Sequence, residues 1–161
     1  MGAREWVDKN KRASTIASIV LLGAAAVFLY YQFRPERPPT TEWYTVDDGR
    51  TWFRDSIRKV PPFEHDGKEA VLAKVFECHG QKFVGYLKRY TPAGKRRMDE
   101  YRAAEDAGKP TDGINLGGID WQFEFKRPGE KEWSASLEKR AQVMNVKCPH
   151  GTNEDPLIVY P

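Results

Sequence analysis

Residues 70–89 read AVLAKVFECHGQKFVGYLKR, and this stretch decides the fold. Two runs rich in aliphatic and aromatic side chains, 70–77 and 82–89, flank Cys78-His79-Gly80-Gln81, where glycine marks a turn. The pattern predicts a long β-hairpin. Just before it, Val60-Pro61-Pro62-Phe63 runs into His65-Asp66-Gly67-Lys68, an ordinary turn sequence. Just after it, Thr91-Pro92 opens a helix that runs to about Ala107, with proline in the first turn and Gly108-Lys109-Pro110 at the end. The faces of that helix are mostly polar, so packing is expected only through Met98, Tyr101 and Ala104.

Further out, Glu42–Val46 and Thr51–Arg54 are strand-like runs around Asp47-Asp48-Gly49-Arg50, and Asp-Gly supplies hairpin turn chemistry. On the other side, Thr111–Gly118 reads as an exposed loop, and Trp121–Lys126 alternates aromatic and polar residues as a half-buried strand does. Arg127-Pro128-Gly129-Glu130 turns the chain, Lys131–Ser134 is the expected returning strand, Leu137–Met144 a short helix and Leu157–Tyr160 a terminal strand. The result is an α+β fold: a small, mainly antiparallel β domain with one or two helices. The rings of Trp52, Trp121 and Phe125 are expected in its core.

Residues 13–33 carry no formal charge and are apolar on every face, long enough at 1.5 Å per residue to cover about 30 Å of hydrocarbon. Four Lys or Arg precede the segment and two, Arg34 and Arg37, follow closely. That bias puts the N-terminus in the cytoplasm and the rest on the periplasmic or extracellular side. Continued apolarity through Val27–Tyr31 argues against cleavage after Ala24-Ala25-Ala26, so the expectation is an uncleaved anchor. The division is then a cytoplasmic tail (1–12), a transmembrane helix (13–33), a Pro-rich stalk (34–41) and an extracytoplasmic globular domain (42–161).

Of a formal net charge of +3, the tail holds +2, from Arg4, Lys9, Lys11 and Arg12 against Glu5 and Asp8. The remaining +1 is no nucleic-acid footprint. Two cysteines, Cys78 and Cys148, in a domain expected outside the cytoplasm are read first as a disulfide. Closing a loop of that length contributes roughly 4 kcal/mol on the chain-entropy account, less any strain. The alternative takes Cys78, His79, Cys148 and His150 as four zinc ligands, although the spacing matches no familiar zinc site. On paper, His65 with Asp66, or Asp47 and Asp48 with Asp55, make acid–base pairs. These are better read as turn residues, and no nucleophile elbow, His-Glu-x-x-His, phosphate loop or dinucleotide fingerprint is present, so no catalytic residue is assigned.

Residues Thr45–Trp52, Thr-Val-Asp-Asp-Gly-Arg-Thr-Trp, resemble the Asp-box of sialidase-like repeat proteins, whose pattern is Ser/Thr-x-Asp-x-Gly-x-Thr-Trp. The resemblance implies a structural turn built on Asp47, Gly49 and Trp52, and no glycosidase activity, because one copy does not make a propeller. The runs Tyr44–Phe53, Pro61–Lys68 and Cys148–Gly151 resemble uncharacterised membrane-anchored envelope proteins of planctomycete-type bacteria. That likeness implies an envelope location and no catalytic residue.

The leading functional expectation is a non-enzymatic, membrane-anchored accessory or interaction subunit of a bacterial envelope complex, contacting a protein partner through aromatic residues. A metal-binding or redox-active domain built on the Cys/His cluster is the second. A pilin-like subunit is the third, weakened by the lack of a prepilin pattern at the start of the apolar run.

Overall fold

The computed structural model describes residues 11–33, 39–149 and 154–161, and it falls into two compact units, 1–38 and 39–161. In the larger unit the expected hairpin is the centre of the sheet. Strand β1 (Thr41–Thr45) and β2 (Phe53–Ser56) make the first antiparallel pair, with Tyr44 opposite Phe53. A three-residue β3 (Phe63–His65), which the sequence reading took only as the approach to a turn, folds onto β4 (Lys68–Cys78) across Asp66-Gly67. Strand β5 (Gln81–Tyr90) returns along β4, β6 (Phe123–Lys126) pairs with β5, and β7 (Leu157–Ile158) pairs with the far end of β4.

One edge of β4 is shared by β1 at 71–72 and β7 at 76–77, β5 occupies the other edge, and β3 pairs with the start of β4 at 68–70. The sheet order is therefore β2-β1-β4-β5-β6, with β3 and β7 added to β4. The expected strand 131–134 is reduced to a single bridge between Ser134 and Phe125.

A bulge interrupts the central hairpin. Lys74 pairs with Tyr86 but Val75 pairs with Val84, which leaves Gly85 as the extra residue and reverses the alternation of side chains along β5. A Cβ at Gly85 would lie 2.6 Å from the Phe76 ring, so a larger residue does not fit there.

The bulge sorts the core into two faces. One buries Val71, Ala73, Val75, Val84 and Leu87 beneath Trp43, Trp52, Trp133 and Val159. The other buries Phe76, Tyr86, Phe123, Phe125 and Val143, with Phe83, Tyr90 and Val146 against them.

Helix α2 (Pro92–Asp106) is capped by the Thr91 hydroxyl, which accepts from the Gly94 amide, and it buries Gly94 and Met98. Helix α3 (Leu137–Met144), capped by Ser136, buries Val143 and packs on β5 and β6. A 3₁₀ turn, Ile119–Trp121, precedes β6 and leaves Trp121 61% exposed, which corrects the expectation of a core tryptophan. The reason is local: the strand starts at Phe123, so only residues from there alternate into the sheet.

In the smaller unit, α1 spans Lys11–Gln32, and large apolar side chains including Ile19, Leu22 and Phe28 are exposed along it. Among the described residues, no helix is long and apolar enough to cross a membrane. The side chains at positions 11, 13, 14, 17 and 18 lie outside the description, as do the tail 1–10 and most of the expected stalk, 34–38.

Candidate functional site

The structure brings Cys78, the last residue of β4, and Cys148, just beyond α3, to disulfide bonding with Cα atoms 5.8 Å apart. Both sulfurs are consumed, so neither is a thiolate for a metal. His79 sits in the β4–β5 turn at positive φ, and its Nε2 is 3.1 Å from Glu154. His150 lies outside the described residues. Among the described residues, no three His, Cys, Asp or Glu side chains converge as a metal site.

The β1–β2 turn uses both of its aspartates. Asp47 accepts from the Thr51 amide (2.9 Å), the Thr51 hydroxyl (2.7 Å) and the Thr45 hydroxyl (2.9 Å), while the Gly49 amide donates to Thr45 Oγ1 at 3.0 Å. These bonds, Thr51's first, hold the Asp47 carboxyl down to about 2. Gly49 takes positive φ, and Trp52 packs half-buried on the core. Asp48 accepts from Lys126 Nζ and from the Gly129 amide, fastening this turn to the one after β6. The remaining residues weighed for acid–base work are also spoken for: the His65 ring stacks on Phe53 with centroids 4.0 Å apart, and Asp55 accepts from the Ser56 amide.

A different cluster has the character of a site. On the aromatic face of the sheet, Lys88 of β5 lies between Leu72 of β4 and Phe125 of β6, half-buried, with Nζ 3.5 Å from the centroid of the Phe123 ring. Among the described residues its ammonium makes no hydrogen bond and no ion pair. Lys74 on β4 reaches Glu42 at 3.8 Å and lies 5.6 Å from the Tyr160 ring. From α3, Arg140 stands 5.3 Å from the Phe125 ring and 5.5 Å from Trp121, donating to the Asp120 carbonyl.

Desolvation, with Lys74 and Arg140 adding like charge, pulls Lys88 from 10.5 down to about 8, against the opposing fields of Asp120 and Glu42. Burial likewise raises Tyr86 and Tyr90 on the same face. An amine at this value is uncharged in about one molecule in ten at pH 7 and retains an unused donor set. Chemically, the arrangement can receive an anion, and its exposed rings, Trp121 and Tyr160, can hold an apolar neighbour of that anion.

The sequence reading did not single out Lys88. In the run Lys82–Arg89 it looks like any polar strand position; simple alternation puts it on the face of Tyr86, but the rings of Phe123 and Phe125 reach it only through the pairing of β5 with β6. Compared with protein families, with curated proteins and with solved structures, the chain matches none.

Proposed function

We propose that this chain is a non-enzymatic accessory or interaction subunit of a bacterial envelope complex. In this reading residues 13–33 anchor it in the membrane, with the N-terminus cytoplasmic and the C-terminal domain periplasmic or extracellular. The observation that carries the interaction role is the half-buried, unpaired Lys88 among aromatic rings. A lone ammonium in that setting costs folding free energy and gains a use only when something binds to it.

Three further observations support placement in the envelope. The segment 13–33 has no formal charge, and all of it but Phe33 lies in a 22-residue helix with large exposed apolar side chains, which lipid would cover. The excess of Lys and Arg before it sets the orientation. The Cys78–Cys148 bridge suits an oxidising compartment.

The test uses the full chain in bacterial cells. It is expected in the membrane pellet after alkaline carbonate, with residues 42–161 cleaved by protease added outside spheroplasts. A photo-reactive Trp121→benzoylphenylalanine variant is expected to cross-link one protein band. A chain that washes off with residues 13–33 intact overturns the anchor, and absence of any adduct overturns the interaction role.

A further inference from the structure

We propose that Lys88, Lys74 and Arg140 form a receiving site for a single carboxylate, borne by an acidic residue that is flanked by apolar residues on a peptide segment of the partner. This rests on the interaction role assigned to the same face.

The groups around Lys88 set the sign of the ligand's charge. Lys74 and Arg140 add like charge to that of Lys88, and Glu42 and Asp120 oppose it. Lys74 has Glu42 within 3.8 Å and Arg140 donates to the backbone carbonyl of Asp120, whereas among the described residues the Lys88 ammonium makes no hydrogen bond and no ion pair. An anion suits these cations, and the two acids oppose a single negative charge less than a double one such as phosphate carries. The ring-lined setting points the same way, because a carboxylate loses less hydration on entering an apolar wall than a doubly charged group does.

The length of the ligand follows from what flanks the cations. Trp121 is 61% exposed beside Arg140, and Tyr160 is 64% exposed beside Lys74, while Lys88 lies on β5 between β4, which carries Lys74, and Phe125 of β6, which Arg140 approaches. Apolar groups on either side of a carboxylate can cover both rings, which a small free acid cannot do. On α3, Leu137 and Met144 extend the exposed apolar surface of the element that carries Arg140.

The test reads acetylation of Lys88 by an amine-selective ester in the full chain in detergent at pH 7, quantified by peptide mass spectrometry with Lys109 as the internal reference. The probes are acetyl-Leu-Phe-Glu-Leu-amide, its Gln counterpart, 3-phenylpropionate and inorganic phosphate. The Glu peptide is expected to slow Lys88 acetylation at least fivefold and leave Lys109 unchanged, with the Gln peptide ineffective. Arg140→Gln should abolish this protection and Arg140→Lys should restore part of it. Protection by the Gln peptide or by phosphate, protection only by 3-phenylpropionate, or protection that survives Arg140→Gln each overturns the carboxylate–peptide assignment. No protection by any probe overturns it too, while a Trp121 cross-link in cells would leave the broader interaction role standing.

Discussion

Replacing Lys88 with methionine should stabilise the protein at neutral pH. Lowering the amine from 10.5 to about 8 corresponds to about 3.5 kcal/mol at roughly 1.4 kcal/mol per pH unit, as a ceiling. Partial solvation trims that figure, and the contact with Phe123 returns about 0.5–2 kcal/mol to the charged form, which leaves a net gain of about 1–2 kcal/mol for Lys88→Met. Because the folded value lies below the unfolded one, the penalty is fully present below about pH 8 and is relieved as the pH rises towards 10.5. Urea denaturation of the full chain at pH 7, 8.5 and 10, followed by tryptophan fluorescence, should show the variant ahead at pH 7 and the gap closing by pH 10. A gap independent of pH, or a variant weaker than the parent at pH 7, would refute the account of Lys88 as a charge held at a cost.

Reduction of the Cys78–Cys148 bridge should lower stability by up to about 4 kcal/mol, since it spans 70 residues, and alkylation with and without reductant should show two thiols only after reduction. Asp47→Asn should cost about 1 kcal/mol by weakening the bonds from Thr45 and Thr51. The parent's Asp47 contribution, present above about pH 4, is lost as the pH falls towards about 2, and the variant's acid-unfolding curve should be flatter there. Gly94→Ala should destabilise by about 1–3 kcal/mol despite alanine's better helix propensity, because its Cβ would lie 2.6 Å from Gln122 Cβ and 2.8 Å from the Gln122 carbonyl; thermal melts would show the sign.

Much of the sheet is legible in local sequence because its main pairings are local. Asp48-Gly49 and His79-Gly80 sit in the turns of two hairpins, and α3 spans Leu137–Met144 as expected, with Ser136 capping it. What escapes is set by contacts between distant segments. Gly94 in α2, for example, is required by the backbone of Gln122. The Lys88 cluster escapes because its members come from separate segments. A strict period of two through β5 groups Lys88 with Tyr86 and Val84; the bulge moves Val84 to the face of Leu87, and Phe123, Phe125 and Arg140 join Lys88 from β6 and α3.

The sharing of one edge of β4 by two short strands, β1 and β7, dictates the order in which the domain can assemble. The β4–β5 turn closes over a few residues, whereas Phe76 must find Ile158, 82 positions later in the chain. Short loops close faster and at lower entropic cost, so the central hairpin forms as a template and the β7 arm arrives last. Pulse-labelled amide exchange during refolding should therefore protect Ala73 and Leu87 well before the Val159 amide, which bonds the Val75 carbonyl. Until that arm docks, the template strand exposes unpaired backbone at Phe76–Glu77, the place where the half-built sheet is most open to pairing with another chain.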